Sequence, residues 1–181
     1  PFACGIVIHP SIDGCIRLKE EHGLRPADIA RIDLKVHSLV LELTGKKTPT
    51  TGLEGKFSVY HSCAAGLLFG AAGTAEYTDD VVNRQDVIAL RDKITAVVDN
   101  GIDEQSADVT ITCVDGKTFH VRVDHAIGSL ENPMSDARLE AKFDALVVPV
   151  LGQEKSNRLK AICWHLHEQS DMTALLTQAR P

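Results

Sequence analysis

The chain has 181 residues, of which 44% are hydrophobic and 24% charged, the make-up of a folded domain rather than a disordered chain. Its net charge of −6 and pI near 5.7 argue against a nucleic-acid binder, which needs a basic face to neutralise phosphates. Five cysteines, odd in number and without C-x-x-C pairs, point to a reducing compartment, and the reading is cytoplasmic.

Along the chain, "PFACGIVIHP" already uses apolar residues and reads like the middle of a protein, so a chain cut from a longer one is expected. Ser11 to His22 reads as a helix: Ser11 is the N-cap candidate, Ile12, Cys15 and Ile16 recur at helical spacing, and Gly23 ends it. Ile32, Leu34 and Val36 alternate with Asp33, Lys35 and His37, the pattern of a half-buried strand. "TGKKTPTTGLEGK" is a polar loop long enough to border a site.

"KFSVYHSCAAGLLFG" reads as a buried helix that opens on His61, Ser62 and Cys63. A histidine there is either a reactive group held against a dry wall or a core residue with one good hydrogen bond. "GAAGTAEYTDD" is a break. "VNRQDVIALRDKITAVVDN" is expected to be one amphipathic helix with Val87, Leu90, Ile94 and Val97 or Val98 on one side. "ADVTITCV" and "KTFHVRVD" flank Asp115-Gly116, which predicts a hairpin with a type I′ turn.

Ser135 is the N-cap expected for the next helix, with Leu139, Phe143, Leu146, Val147 and Val150 on its buried face. A second helix carries Leu159, Ile162, Cys163 and Leu166, and a short third one covers Met172 to Leu176. Strands and helices fall in blocks, which predicts an α+β fold, a small sheet with a β-hairpin packed against helices.

Motifs for bound groups are missing. His165 and His167 are two apart on a helix and point to different sides, and no H-E-x-x-H, EF-hand or zinc-ribbon spacing occurs. There is no P-loop and no G-x-S-x-G elbow, so no metal or organic cofactor is expected. The uncharged run Ser62 to Ala75 is too short and Gly-rich to span a bilayer, so no membrane association is expected. His61 remains the first candidate for proton transfer, followed by His9 and Cys4.

Three segments, "PFACGIVIHPSIDGCIRLKEEHGL", "KFSVYHSCAAGLLFG" and "GSLENPMSDARLEAKF", occur in the order and spacing of the second half of MmgE/PrpD proteins, and the chain resembles that family from Pro1 to about Val150. The family includes 2-methylcitrate dehydratase, cis-aconitate decarboxylase and iminodisuccinate epimerase. The resemblance implies an α+β lid domain over residues 1–128 and a C-terminal helical segment over 129–181 that returns to a helical domain made by the N-terminal half of the same protein. It also implies a homodimer and a cofactor-independent lyase, a dehydratase acting on a small di- or tricarboxylate such as 2-methylcitrate, with this chain inactive alone. An epimerase, a decarboxylase or a non-catalytic binding module are the other readings.

For the site, the resemblance makes His61 the acid/base or substrate-orienting residue, because relatives place a Tyr or His facing the substrate there. Cys4 and His9 lie in the segment that lines the cleft in relatives, at a spacing shifted by about one residue, and are its substrate-binding candidates. A family lysine expected just before this segment falls ahead of Pro1.

Overall fold

The computed structural model describes residues 1–180 and divides into two compact units, Phe2–Pro133 and the residues from Met134 onward. The first is α+β. Its first helix, α1, spans His9–His22. Pro10 occupies the first turn, where a missing N–H costs nothing, so the helix starts two residues before the expected Ser11 cap and Ser11 is buried inside it. Gly23 closes it in the left-handed region at φ 62°, as its position implied.

Strand β1 follows at Ile29–Val36, with Ile29, Ile32, Leu34 and Val36 buried. The chain then makes three short helices and one longer one: α2 Ser38–Thr44, α3 Gly52–Gly55, α4 Val59–Phe69 and α5 Asp79–Val82. The predicted polar loop thus contains a turn of helix, α3. Its Gly52 is required, because a Cβ there would stand 1.9 Å from the Tyr77 carbonyl oxygen.

The single amphipathic helix expected over Val82 to Asn100 is instead a helix and a strand. Helix α6 ends at Arg91 after starting at Gln85, and β2 runs Ile94–Val98 parallel to β1, with Ile32 opposite Ile94 and Val36 opposite Val98. Ile94, Thr95, Val97 and Val98 are β-branched, and an available strand edge outweighs the helical spacing of the apolar positions.

The hairpin pairs β3, Ala107–Cys113, with β4, Thr118–Val123, in antiparallel register. Its turn is not type I′. No described non-glycine residue has positive φ; Gly116 alone in the turn does, at 85°, while the Gly116 N–H donates to the Cys113 carbonyl. That is a three-residue connection with a type I turn and a glycine bulge, which needs φ > 0 once rather than twice. The sheet order is β2-β1-β3-β4.

Helix α1 lies against β3 and β4 and also packs on α4. Gly14 permits the first contact, since a Cβ there would meet Val109 at 2.6 Å, and Gly66 of α4 fits against Ile12 and Ile16. Ile12, Cys15, Ile32, Leu34, Cys63, Val109 and Ile111 form one core with no exposed surface.

The second unit begins with α7, Asp136–Trp164, capped by the Ser135 hydroxyl, which accepts from the Arg138 N–H. Gly152 (φ 80°) breaks it into two arms, giving the two predicted helices, and α8 follows at Thr173–Gln178. The Asp144 carboxylate accepts from Ser156 Oγ and Lys160 Nζ, each at 2.6 Å, so the arms fold back on each other. Of the apolar positions expected to be buried, Leu139 and Leu146 are 47% exposed and Val150 66%, while Phe143 and Val147 are half-buried. Leu159 is the large apolar residue that α7 does bury.

Candidate functional site

The candidate site grows from the N-terminus of α4. Ser58 is extended, and its hydroxyl accepts from the His61 N–H at 3.1 Å, capping the helix and fixing where its first turn points. Val59 to Leu67 are all buried, so no polar group in this turn can rely on bulk water. His61 and Ser62 therefore take their partners from the 3-10 turn at Thr74–Tyr77, in the stretch read from sequence as a break.

His61 is fully buried. Its Nε2–H donates to the Glu76 carbonyl oxygen at 2.9 Å, which sets the tautomer, and its ring lies edge-on to Tyr77 with centroids 5.4 Å apart. Nδ1 has no hydrogen-bond partner among the described residues. A Cβ at Gly55 would come within 3.1 Å of the imidazole, so that glycine makes room for the ring. Burial pushes the His61 pKa below its ordinary value, the Glu76 bond opposes the shift, and nearby Arg91 adds to it. The ring is neutral at pH 7. His61 is thus a buried imidazole with one good hydrogen bond at Nε2 and an Nδ1 unpartnered among the described residues.

Tyr77 links the two ends of the cluster. Its buried hydroxyl donates to Ser62 Oγ at 2.9 Å, and the Cys4 thiol lies within hydrogen-bonding reach of both hydroxyls. Burial raises the Cys4 pKa, against the lowering effect of those two hydroxyls, so Cys4 is a thiol and not a thiolate. Burial also holds the Tyr77 phenol protonated, reinforced by Cys4. The N-terminal segment is anchored beside it: Ala3 N–H donates to the Ala72 carbonyl and Gly5 N–H to the Lys56 carbonyl. Cys4, Ser62 and Tyr77 thus form a neutral chain of O–H and S–H groups, able to hand a proton along but carrying no charge.

His9 lies elsewhere. It begins α1, packs edge-on to Phe2 with centroids 5.2 Å apart, and borders an open cleft of about 350 Å³ with Pro10, His125 and Ile127. Of the three residues singled out from sequence, Cys4 and His61 meet through Tyr77, and His9 stands on a different wall. Tyr77 itself was missed, since a lone aromatic between Glu76 and Thr78 in a Gly-rich break gives no periodic signal. The Ser58 cap before an apolar run was the readable clue to where the helix begins. No group of three or more metal-ligating side chains gathers among the described residues, and no helix is long and apolar enough to cross a membrane.

Comparison with known proteins adds to this geometry. The model of the MmgE/PrpD C-terminal domain matches residues 2–168. Cis-aconitate decarboxylase of Mus musculus is 28% identical over 160 residues, covering 86% of this chain and 32% of that protein. The 2-methylcitrate dehydratase of Cupriavidus necator is 26% identical over 168 residues, 87% of this chain and 33% of the enzyme. That of Salmonella typhimurium is 28% identical over 117 residues, 59% and 24% respectively. The chain spans a quarter to a third of the length of these relatives.

Proposed function

The chain belongs to the MmgE/PrpD family, and from that premise we propose that it is the C-terminal part of a cofactor-independent lyase, a dehydratase of small polycarboxylic acids such as 2-methylcitrate. The observation that carries this reading is the cluster of Cys4, partly buried, with the buried Tyr77 and Ser62, a neutral proton-handling group built from the N-terminal segment, the 3-10 turn at Thr74–Tyr77 and the first turn of α4. Removing a proton beside a carboxylate, or protonating a leaving hydroxyl, needs donors and acceptors that keep their protons until the substrate arrives. Low dielectric and fixed neighbours supply that condition here.

In this reading His61 is the orienting residue. Its bond to the Glu76 carbonyl holds the 3-10 turn, and the turn places the Tyr77 hydroxyl on Ser62. Cys4, only partly buried, and His9, on its open cleft, are the substrate-binding candidates. The cationic groups that several substrate carboxylates require are supplied, in this proposal, with the N-terminal helical domain of the same protein, in a homodimer. This chain alone is then inactive.

Decarboxylation is the second reading, favoured by the likeness to cis-aconitate decarboxylase over most of the chain. Incubating the native full-length protein with 2-methylcitrate and, separately, cis-aconitate separates the two. An unsaturated acid formed from the first supports the dehydratase, and carbon dioxide released from the second supports the decarboxylase. Inertness toward both, and toward interconversion of the enantiomers of small dicarboxylates, would leave a binding module. Tyr77→Phe is expected to cost turnover in whichever reaction is found.

A further inference from the structure

Arg91, the last residue of α6, is 5% exposed yet forms no ion pair with any described residue. Its Nε is buried without a hydrogen-bond partner, and one terminal nitrogen donates to the Pro49 carbonyl at a long 3.4 Å. A guanidinium offers five N–H donors in a rigid fork and cannot give up its proton. Burying it without an anion is costly, and buried cations are ordinarily paired. Asp92, next in the chain, is near enough to be felt electrostatically but forms no ion pair with it. The guanidinium with its orphaned Nε lies in electrostatic range of His61.

The segment over Arg91 is tied down on both sides of an exposed Lys47–Thr48 stretch, and its Pro49 is buried. Glu54 accepts from the Thr50 N–H and hydroxyl and pairs with Lys46 at 2.7 Å, while the Asn83 side-chain amide donates to the Thr50 carbonyl. Lys47 and Thr48, between those anchors, are exposed, and Lys47 forms no ion pair among the described residues. Pro49 thus rests on the guanidinium by one weak bond, which a carboxylate would replace with two strong parallel ones.

We propose that Arg91 is a carboxylate-binding residue, taking one carboxylate of a small polycarboxylic acid in a bidentate clasp beneath the Lys47–Pro49 stretch. This rests on the reading of the chain as part of an enzyme of polycarboxylates, and it assigns to that site a cation contributed by this chain. Arg91 binds and orients; it transfers no proton.

The test uses the native full-length protein, with citrate as the probe and acetate at matched ionic strength as the control. Binding is followed by calorimetry and by the rise in melting temperature. Citrate is expected to bind, Arg91→Gln to weaken it tenfold or more, and Arg91→Lys, which keeps the charge and loses the fork, to weaken it less. In any turnover that is found, KM should rise more than kcat falls. Citrate affinity unchanged in Arg91→Gln, or in Arg91→Lys should the Gln variant not fold, would overturn the proposal and make the arginine a structural prop for Pro49. Arg91-dependent citrate binding without turnover of any polycarboxylate would sink the lyase reading and leave this site standing. Turnover untouched by Arg91 variants would do the reverse.

Discussion

The two units of this chain are stabilised in opposite ways. In Phe2–Pro133 a four-stranded sheet, α1 and α4 close over one core in which Ile12, Leu34, Cys63 and Ile111 have no exposed surface. From Met134 onward Leu159 is the large apolar residue buried in α7, and the arms are tied instead by Asp144, Ser156 and Lys160 and by Trp164 Nε1–H on Glu140. The first unit is specified by burial, which is strong and non-directional. The second is held by polar contacts near water, which are weak individually. A buried polar pair such as Tyr77–Ser62, with Cys4 beside it, belongs in the first kind of surroundings, because only a rigid dry wall holds it in register.

The largest expected effect tests that contrast directly. Leu34→Ala opens a cavity at the centre of the sheet and should cost about 2–5 kcal/mol of unfolding free energy. Leu146→Ala, at a half-exposed position of α7, should change the stability of this chain by no more than about 0.5 kcal/mol. Denaturant titration of both variants checks it, and equal losses would show that the second unit has a core as tight as the first.

A smaller effect concerns His61 and pH. Its pKa is depressed in the folded chain below its ordinary value of 6.5, so the unfolded chain binds the proton more readily. The stability due to the neutral buried ring is therefore complete above that ordinary value and lost as pH falls through the folded pKa. Wild type should lose stability on acidification through this window, and His61→Gln should lose less of it. Parallel pH profiles for the two proteins would mean that the imidazole meets water more than its burial indicates.

Legibility in the sequence follows the same divide. Strand β1, the hairpin strands and α1 were readable because their apolar periods coincide with what they bury. Strand β2 was not, since Val87, Leu90, Ile94 and Val97 share a helical spacing and only pairing with β1, distant in sequence, turns Ile94–Val98 into a strand. The hairpin turn was placed correctly and typed wrongly, because Asp-Gly suits both a type I′ turn and a type I turn with a glycine bulge. At the site, His61 stood out by composition, but its partners Glu76 and Tyr77 come from a turn without periodicity, and Arg91 read as one more charge on a helix. The apolar stripe of α7 was real in sequence, but spacing shows which residues share a face and not whether anything covers them, and Leu139, Leu146 and Val150 are exposed.

The smallest expected effect lies in the second unit and asks whether its polar ties matter. Lys160 holds the Asp144 carboxyl below the usual carboxylate range, with help from the Ser156 hydroxyl. The tie is therefore complete above the ordinary aspartate value of 3.8 and is lost as pH falls through the lower folded value. Asp144→Asn keeps the shape and a hydrogen-bond acceptor for Ser156 but removes the charge that Lys160 meets. Backbone amide exchange in α7 should quicken in this variant, and added salt should quicken it in wild type, because a pair so near water is screened. Exchange indifferent to both changes would mean that packing around Leu159 holds the arms together, and the contrast between the two units would then be one of degree.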